Sequence, residues 1–170
     1  EAYAEHLEDV DIIHLDPIHP ENVGLIHYHN ILHWSGSPNP SHTQIQGWLI
    51  HYFLTGNRRA FEVARESADH FVETQEPSGV VSNRSIAMRR EFVGPMSTLW
   101  FFYHASWEQK YLDCVSRSMS SHLSTQFDNG FFPGDIYTAG ALGEELTTSD
   151  ESTASSAGYH EMCMFYDMYQ

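Results

Sequence analysis

The stretch SHTQIQGWLIHYFLTGNRRAFEVARESADHFVETQ, residues 41–75, decides the fold. Both of its halves carry apolar residues three or four positions apart, which is the spacing of one helix face. In the first half these are Ile45, Trp48, Leu49, Tyr52 and Phe53, and in the second Phe61, Ala64, Ala68, Phe71 and Val72. Between them lies Thr55-Gly56-Asn57, where a glycine suits the left-handed residue that ends many helices. The stretch predicts two helices joined by a tight turn.

The same unit returns 51 residues later in the chain. The matching pairs are Tyr52 and Tyr103, Glu62 and Asp113, Thr74-Gln75 and Thr125-Gln126, and Gly79 and Gly130. A constant offset across separate residues indicates an internal repeat. We therefore expect a series of helical hairpins, each burying its apolar face on the next. Residues 95–105 are apolar nearly all round and predict a buried inward helix, and residues 159–170 predict the start of a third.

Local signals refine these boundaries. Ser41 with Gln44, and Ser106 with Gln109, fit capping boxes at helix starts. Pro95 suits the first turn of the second inward helix, and Val80-Val81 suggests a short strand. The second outer helix is expected to bury an apolar stripe formed by Tyr111, Leu112, Val115, Met119 and Leu123.

Alternating inward and outward helices with this repeat predict an all-α fold, an α/α toroid or ring of helical hairpins. Two hairpins and the start of a third are expected here. A simple solenoid of helix pairs is the alternative, but the apolar inward helices and the long connections before them favour the toroid. Residues 1–40 would form a lead-in with a histidine-rich segment, and residues 41–170 an incomplete toroid domain.

Composition restricts the classes of partner. The formal net charge is −15 and Lys110 is the only lysine, which disfavours nucleic-acid binding. Cys114 and Cys163 are too few for a disulfide framework and are expected to be buried thiols. No stretch is long and apolar enough for a membrane span. The chain begins without methionine and ends within a helical pattern, so we expect further domains in a longer chain.

The segment HYHNILHWSGSPNPSHTQIQGWLIHYFLTGNRRAFEVA, residues 27–64, resembles the opening of the C-terminal α/α toroid domain in the YetA-like and exo-rhamnogalacturonan-lyase-like proteins. RREFVGPM at residues 89–96 and KYLDC at residues 110–114 are similar to the next hairpin of such domains. The resemblance spans roughly residues 27–126. It implies a secreted or periplasmic carbohydrate-active enzyme, most directly a polysaccharide lyase acting on uronic-acid glycans.

Such a lyase must neutralise a carboxylate, remove the neighbouring proton and protonate the leaving oxygen. His33 and His42 are the candidate base and acid, because histidine titrates near neutrality. Tyr28 is a further choice for the base. Arg90 is the candidate clamp for the carboxylate, which a guanidinium can hold through two parallel hydrogen bonds. These residues lie in the segments that lead into the inward helices.

Other residues are expected to line a cleft for an oligo- or polysaccharide: Tyr28, Asn30, Trp34, Glu91, Tyr159, His160 and Glu161. His27, His29 and His33 form a histidine-rich pattern, but no carboxylate or cysteine completes a regular ligand set. We therefore predict neither a metal nor a cofactor, and expect hydrogen-bonding histidines around the cleft.

Several alternatives stay open. His42 could pack only locally, Arg90 could pair with Glu91, and Trp34 could be a core aromatic residue. A glycoside hydrolase would instead need two carboxylates, for which Glu91 and Glu161 are available. A non-catalytic glycan-binding or structural module is the remaining reading.

Overall fold

The computed structural model describes residues 2–27, 38, 40–81, 90–126 and 128. Its helices are α1 (Ala2–His6), α2 (Gln46–Thr55), α3 (Arg58–Glu73), α4 (Arg90–Ser106) and α5 (Gln109–Leu123). Leu7–Asp11 is a π-helical turn, and Pro20–Asn22 and Pro40–His42 are 3-10 turns. No strand occurs within the described residues, where Ile12 and Ile26 form an isolated antiparallel bridge. The all-α prediction is confirmed.

Helix α4 lies at the centre of the described fold. It packs against α2, α3 and α5 and against the turn Pro40–His42. All residues from 92 to 99 are buried, and so is Phe102 one turn further along. A helix that is apolar nearly all round must be covered on most sides. The prediction of a buried helix is confirmed for residues 92–99 and for Phe102, whereas His104 is exposed and Trp100, Phe101, Tyr103 and Ala105 are only partly buried.

The 51-residue repeat is present in the helix boundaries. Helices α2 and α4 end at Thr55 and Ser106, and α3 and α5 begin at Arg58 and Gln109, so both pairs keep the same offset. The hydroxyl of Thr55 donates to a carbonyl four residues back, and the hydroxyl of Ser106 does the same. The two hairpins are therefore copies of one structural unit.

The turn between α2 and α3 follows its sequence signals. Gly56 has a φ of 75° and ends α2 in the left-handed region, where its N–H donates to the Tyr52 carbonyl at 2.7 Å. The side chain of Asn57 then accepts the N–H of Arg59 at 3.0 Å and so caps α3. The prediction for Thr55-Gly56-Asn57 is confirmed, because a residue without a Cβ and a short amide side chain suit these positions.

Two glycines allow the connecting segments to cross the outer helices. Gly24 has a φ of 88°, and a Cβ placed on it would lie 2.7 Å from the carbonyl oxygen of Glu66 on α3. Gly79 has a φ of 87°, and its Cβ would lie 3.0 Å from the carbonyl oxygen of Arg117 on α5. Glu66 and Arg117 are again 51 residues apart. The segment around Gly24 therefore crosses α3 at the position where the segment around Gly79 crosses α5 in the second hairpin.

Polar contacts join this lead-in to the first hairpin. Nδ1 of His51 on α2 lies 2.8 Å from a carboxylate oxygen of Glu8, and both residues are buried. His14 lies 2.6 Å from a carboxylate oxygen of Glu66 on α3. Because a buried carboxylate needs a partner, the contact with His51 fixes the first turns of the chain against α2.

The predicted capping box of Ser41 and Gln44 is wrong. Pro40–His42 forms a separate 3-10 turn, so α2 begins only at Gln46, with Ile45 as its N-cap residue and no side-chain cap. The reason is tertiary: Ser41 is buried against α4 and is not free to begin a helix.

The capping box of Ser106 and Gln109 is also wrong. Ser106 belongs to the end of α4, where its hydroxyl donates to the Phe102 carbonyl at 2.9 Å. The N-cap residue of α5 is Glu108, which makes no side-chain capping bond. A serine hydroxyl suits either side of a helix boundary, so the sequence pattern alone does not distinguish the end of α4 from the start of α5.

Two further predictions are wrong, namely Pro95 in the first turn of a helix and a short strand at Val80-Val81. Helix α4 begins at Arg90, so Pro95 lies inside the helix and cannot donate to the carbonyl of Glu91. Val80 and Val81 are not a strand but a buried, non-regular connection. Their apolar, β-branched side chains serve the core without strand pairing.

Two members of the predicted apolar stripes lie at the surface. Phe53 is 65% exposed and Leu123 is 52% exposed. At the end of α5 the buried position belongs to His122, whose ring centroid lies 5.1 Å from that of Phe92. The stripe therefore rotates by one residue there. Cys114 is a buried thiol as expected, whereas Cys163 lies outside the described residues.

Three glycines allow a graded test of this fold by urea unfolding of the chain. Gly24→Ala adds both left-handed strain and a clash with a backbone oxygen, and we expect it to lower the free energy of unfolding by about 2–4 kcal/mol. Gly56→Ala adds strain alone, since no atom lies within 4 Å of its Cβ, and should lower it by roughly 1 kcal/mol.

Gly47→Ala in α2 is the control, because it has neither a positive φ nor a neighbour within 4 Å. It should raise the free energy of unfolding by less than about 1 kcal/mol, because Gly47 is only the second residue of α2. Equal effects of the three substitutions would contradict the described crossing of Gly24 over α3.

Candidate functional site

The candidate site lies where α2 and α4 begin. Hydrogen bonds of Thr43 connect the segments that meet there. The Thr43 hydroxyl accepts the N–H of Ile26 at 2.9 Å, and the Thr43 carbonyl accepts the hydroxyl of Thr98 at 2.8 Å. Thr43 and Thr98 are fully buried. The lead-in, the segment before α2 and the inward helix α4 are thus tied together at one residue.

Ser41 is held as tightly on the other side of His42. A Cβ on Gly94 of α4 would lie 2.9 Å from both the Cα and the carbonyl oxygen of Ser41. Only glycine permits this approach of helix and turn. Ser41 and Thr43 are buried, whereas the residue between them, His42, is partly exposed. Both neighbours of His42 are therefore anchored by the fold, whereas His42 itself is only partly buried.

A second polar contact links the two inward helices directly. The side-chain amide of Gln46 donates to the hydroxyl of Ser97 at 2.8 Å, and the two residues are 51 positions apart. Equivalent turns of α2 and α4 therefore lie side by side. The contact between Gln46 and Ser97 fixes the position of α2 relative to α4 along the helix axes, at the end of the helices where His42 is found.

The structure places Arg90 and Glu91 at the first turn of α4, the helix against which the turn containing His42 packs. Gly94, which contacts Ser41, is one helical turn further along. The predicted candidates His42, Arg90 and Glu91 therefore share one end of the hairpin pair. The other predicted site residues lie outside the described residues, namely Tyr28, Asn30, His33, Trp34, Tyr159, His160 and Glu161.

Four further histidines lie within helices α2 to α5. His51, His70 and His122 are buried in helices, and His104 is exposed on α4. Within the described part of the chain, no three histidine, cysteine or acidic side chains come together as metal ligands would. His27 is described, but His29 and His33 are not, so no finding bears on their pattern.

Sequence reasoning missed an acidic groove on the outside of α3. The groove has a volume of about 430 Å³ and runs between α3 and the turn Pro20–Asn22. Its carboxylates are Glu21, Glu62, Glu66, Asp69 and Glu73. The last four recur every three or four residues along the helix, a spacing that could have been found in the sequence. Arg65 also lines the groove, but the carboxylates outnumber it, so the net charge of the lining is negative and disfavours an anionic ligand.

His70 closes the floor of this groove and is 5% exposed. Burial lowers the pKa of His70 to about 4, because desolvation disfavours the charged ring. A hydrogen bond to the backbone of Val23 acts in the opposite direction but is the smaller effect. His70 is therefore neutral near pH 7 and ties the connection at Val23 to α3.

Comparison with known protein families, curated proteins and solved structures finds no match to this chain. The resemblance to YetA-like and exo-rhamnogalacturonan-lyase-like proteins therefore stays a prediction from the sequence. Among the helices that the structure describes, none is both long and apolar enough to cross a membrane.

The buried His70 predicts how stability depends on pH. Its folded pKa lies below the usual value of 6.5, so the unfolded chain binds the proton more tightly. This contribution to stability is fully present above pH 6.5 and falls as the pH drops towards 4, by about 3 kcal/mol in all.

His70→Gln is the matched variant, because its amide can still donate to the Val23 carbonyl. The free energy of unfolding should be measured for both proteins between pH 4 and 8. We expect the difference between them to change across this window in the direction that disfavours the histidine at low pH. If the free energies of unfolding of the two proteins changed with pH in parallel, His70 would not be the titrating group.

Proposed function

We propose that the chain is the helical part of a carbohydrate-active enzyme, a polysaccharide lyase that cleaves uronic-acid glycans by β-elimination. The observation that carries the proposal is the position of His42. It lies between two buried, anchored residues, in a turn that packs against the helix beginning with Arg90. A histidine and an arginine at one end of an inward helix pair are two of the groups that the reaction requires.

The proposed chemistry assigns each group one task. Arg90 binds the uronate carboxylate and makes the adjacent C–H more acidic. A neutral histidine removes that proton, a double bond forms to the next ring carbon, and the glycosidic bond to that carbon breaks. A protonated partner supplies the proton to the leaving oxygen. His42 and His33 are the proposed pair, with Tyr28 as the alternative base.

Helix polarity supports the same location. The first turns of α2 and α4 lie at this end of the hairpins, and the positive dipole ends of helices favour a carboxylate. The acidic groove outside α3 has the opposite character, since five carboxylates line it. The electrostatics therefore favour the helix starts over the groove as the place for an anionic sugar.

The proposal includes an α/α toroid of which the two described hairpins are part. The repeated hairpins and the central, buried position of α4 support it. In that architecture Asn30, Trp34, Glu91, Tyr159, His160 and Glu161 would line the cleft with the catalytic residues. An extracellular or periplasmic location and further domains of a longer chain belong to the same proposal.

Two other functions are distinguished by their products. A glycoside hydrolase would use Glu91 and Glu161 as its carboxylates and would release reducing ends without a new double bond. A non-catalytic glycan-binding module would release neither product. Glu91 lies in the same first turn of α4 as Arg90, so the hydrolase would use the same end of the hairpins.

The test is to incubate the complete parent protein with pectic and other uronate polysaccharides and to follow the ultraviolet absorbance of an unsaturated uronate. We expect absorbance to rise with one of these polymers. His42→Gln should lower the rate by about 10²–10⁴-fold, the usual contribution of a general acid or base.

His6→Gln is the control, because His6 is an exposed histidine of α1 and should leave the rate unchanged. If His42→Gln had the same rate as the unsubstituted protein, His42 would be neither the base nor the acid of the reaction. Reducing ends without absorbance would replace elimination by hydrolysis.

A further inference from the structure

The far end of α4 carries an aromatic row formed by Trp100, Tyr103, His104 and Trp107. The ring centroids of Trp100 and His104 lie 4.6 Å apart, and those of Tyr103 and Trp107 lie 5.6 Å apart. His104 and Trp107 are separated by 5.9 Å. The row covers two turns of helix, a length of about 10 Å, at the opposite end of α4 from His42.

Trp107 ends this row in an unusual backbone conformation. Its φ is 59°, and within the described part of the chain no other non-glycine residue has a positive φ. The equivalent residue of the first hairpin, 51 positions earlier, is Gly56 with a φ of 75°. Both residues donate their N–H to a carbonyl four residues back. A large side chain in this conformation costs roughly 1–2 kcal/mol, which glycine avoids.

Burial does not offset this strain, because Trp107 is 70% exposed. An exposed tryptophan in a conformation suited to glycine weakens the fold without strengthening the core. Backbone strain that the fold does not require is concentrated at functional sites. The conformation also fixes the direction of the ring, since it is set by the helix end and by contacts with Tyr103 and His104.

The surrounding charges decide which ligand class the row fits. The nearby cations are already paired: Arg65 lies 2.5 Å from Glu108, and Lys110 lies 2.5 Å from Asp69. The formal net charge of −15 and these ion pairs disfavour nucleic-acid and lipid phosphates as ligands. Glu108 beside Trp107 is bound to Arg65 and offers no unpaired carboxylate to a cation. An uncharged ligand needs no charged partner at this surface.

The rings and their polar edges suit a sugar chain among uncharged ligands. Tryptophan, tyrosine and histidine present an apolar face together with a hydrogen-bonding edge. A pyranose likewise has an apolar C–H face and a rim of hydroxyl groups. We propose that the aromatic row binds an uncharged polysaccharide segment, with Trp107 as the main stacking ring. This site is separate from the candidate site around His42 and does not rest on the lyase chemistry.

The experiment is affinity electrophoresis of the full chain in gels containing galactomannan or hydroxyethyl cellulose, with polygalacturonate as the charged comparison. We expect at least one neutral polymer to retard the protein, and polygalacturonate to retard it less. Trp107→Gly should raise the dissociation constant for that polymer at least about tenfold, the effect of losing one good stacking contact.

Trp107→Gly also separates binding from folding. Because glycine suits a φ of 59°, the melting temperature of this variant should stay the same or rise, by up to roughly 4 °C. Trp107→Phe keeps a ring and should keep most of the binding. The same loss of binding in the Phe and Gly variants would contradict a stacking role.

Leu54→Ala is the matched control, since Leu54 is an 80% exposed apolar residue at the end of α2. Retardation unchanged by this substitution supports stacking on the row. Equal loss in Leu54→Ala would instead indicate a general apolar surface and overturn the proposal. So would the absence of retardation by either neutral polymer, or sedimentation data showing that Trp107→Gly converts a dimer to a monomer.

Discussion

The structure depends on the buried joint at Thr43. Its hydroxyl holds the backbone of Ile26 and its carbonyl holds the hydroxyl of Thr98. A buried polar group must find a partner or lose the free energy of its hydration, so the three segments that meet here have little freedom to move apart. The close approach of Ser41 to Gly94 completes the joint. His42 lies between these two anchored neighbours.

The two hairpins use one plan with different side chains at critical positions. Glycine ends α2, whereas Trp107 ends α4 with nearly the same φ. The same N–H to carbonyl hydrogen bond closes both helices. The backbone geometry is therefore common to the two hairpins, whereas the strain arises only because a tryptophan occupies the second position. This difference between two copies of one unit is the observation from which the binding role of Trp107 is proposed.

Charge divides the surface into regions with different partners. The turn containing His42 packs against α4, whose first residue is Arg90, whereas carboxylates line the groove outside α3. The aromatic row near Trp107 has its neighbouring charges already paired. Charge therefore disfavours an anionic ligand at the second region and does not attract one at the third; the first region is where the proposed function places it. The acidic net charge alone does not reveal this distribution.

The sequence by itself determined the helices, the turn at Gly56 and the 51-residue repeat, because periodicity and left-handed glycine are properties of a short stretch of chain. It also placed His42 and Arg90 near the starts of inward helices. Only the tertiary structure decided the boundaries: Ser41 packs on α4 instead of capping α2, and α4 extends back beyond Pro95. It also decided that Phe53 is exposed and His122 buried. Hydropathy indicates that a residue prefers burial, but a neighbouring element must be present to bury it. The anchoring of His42 and the strain at Trp107 arise from contacts and backbone angles that no local pattern encodes.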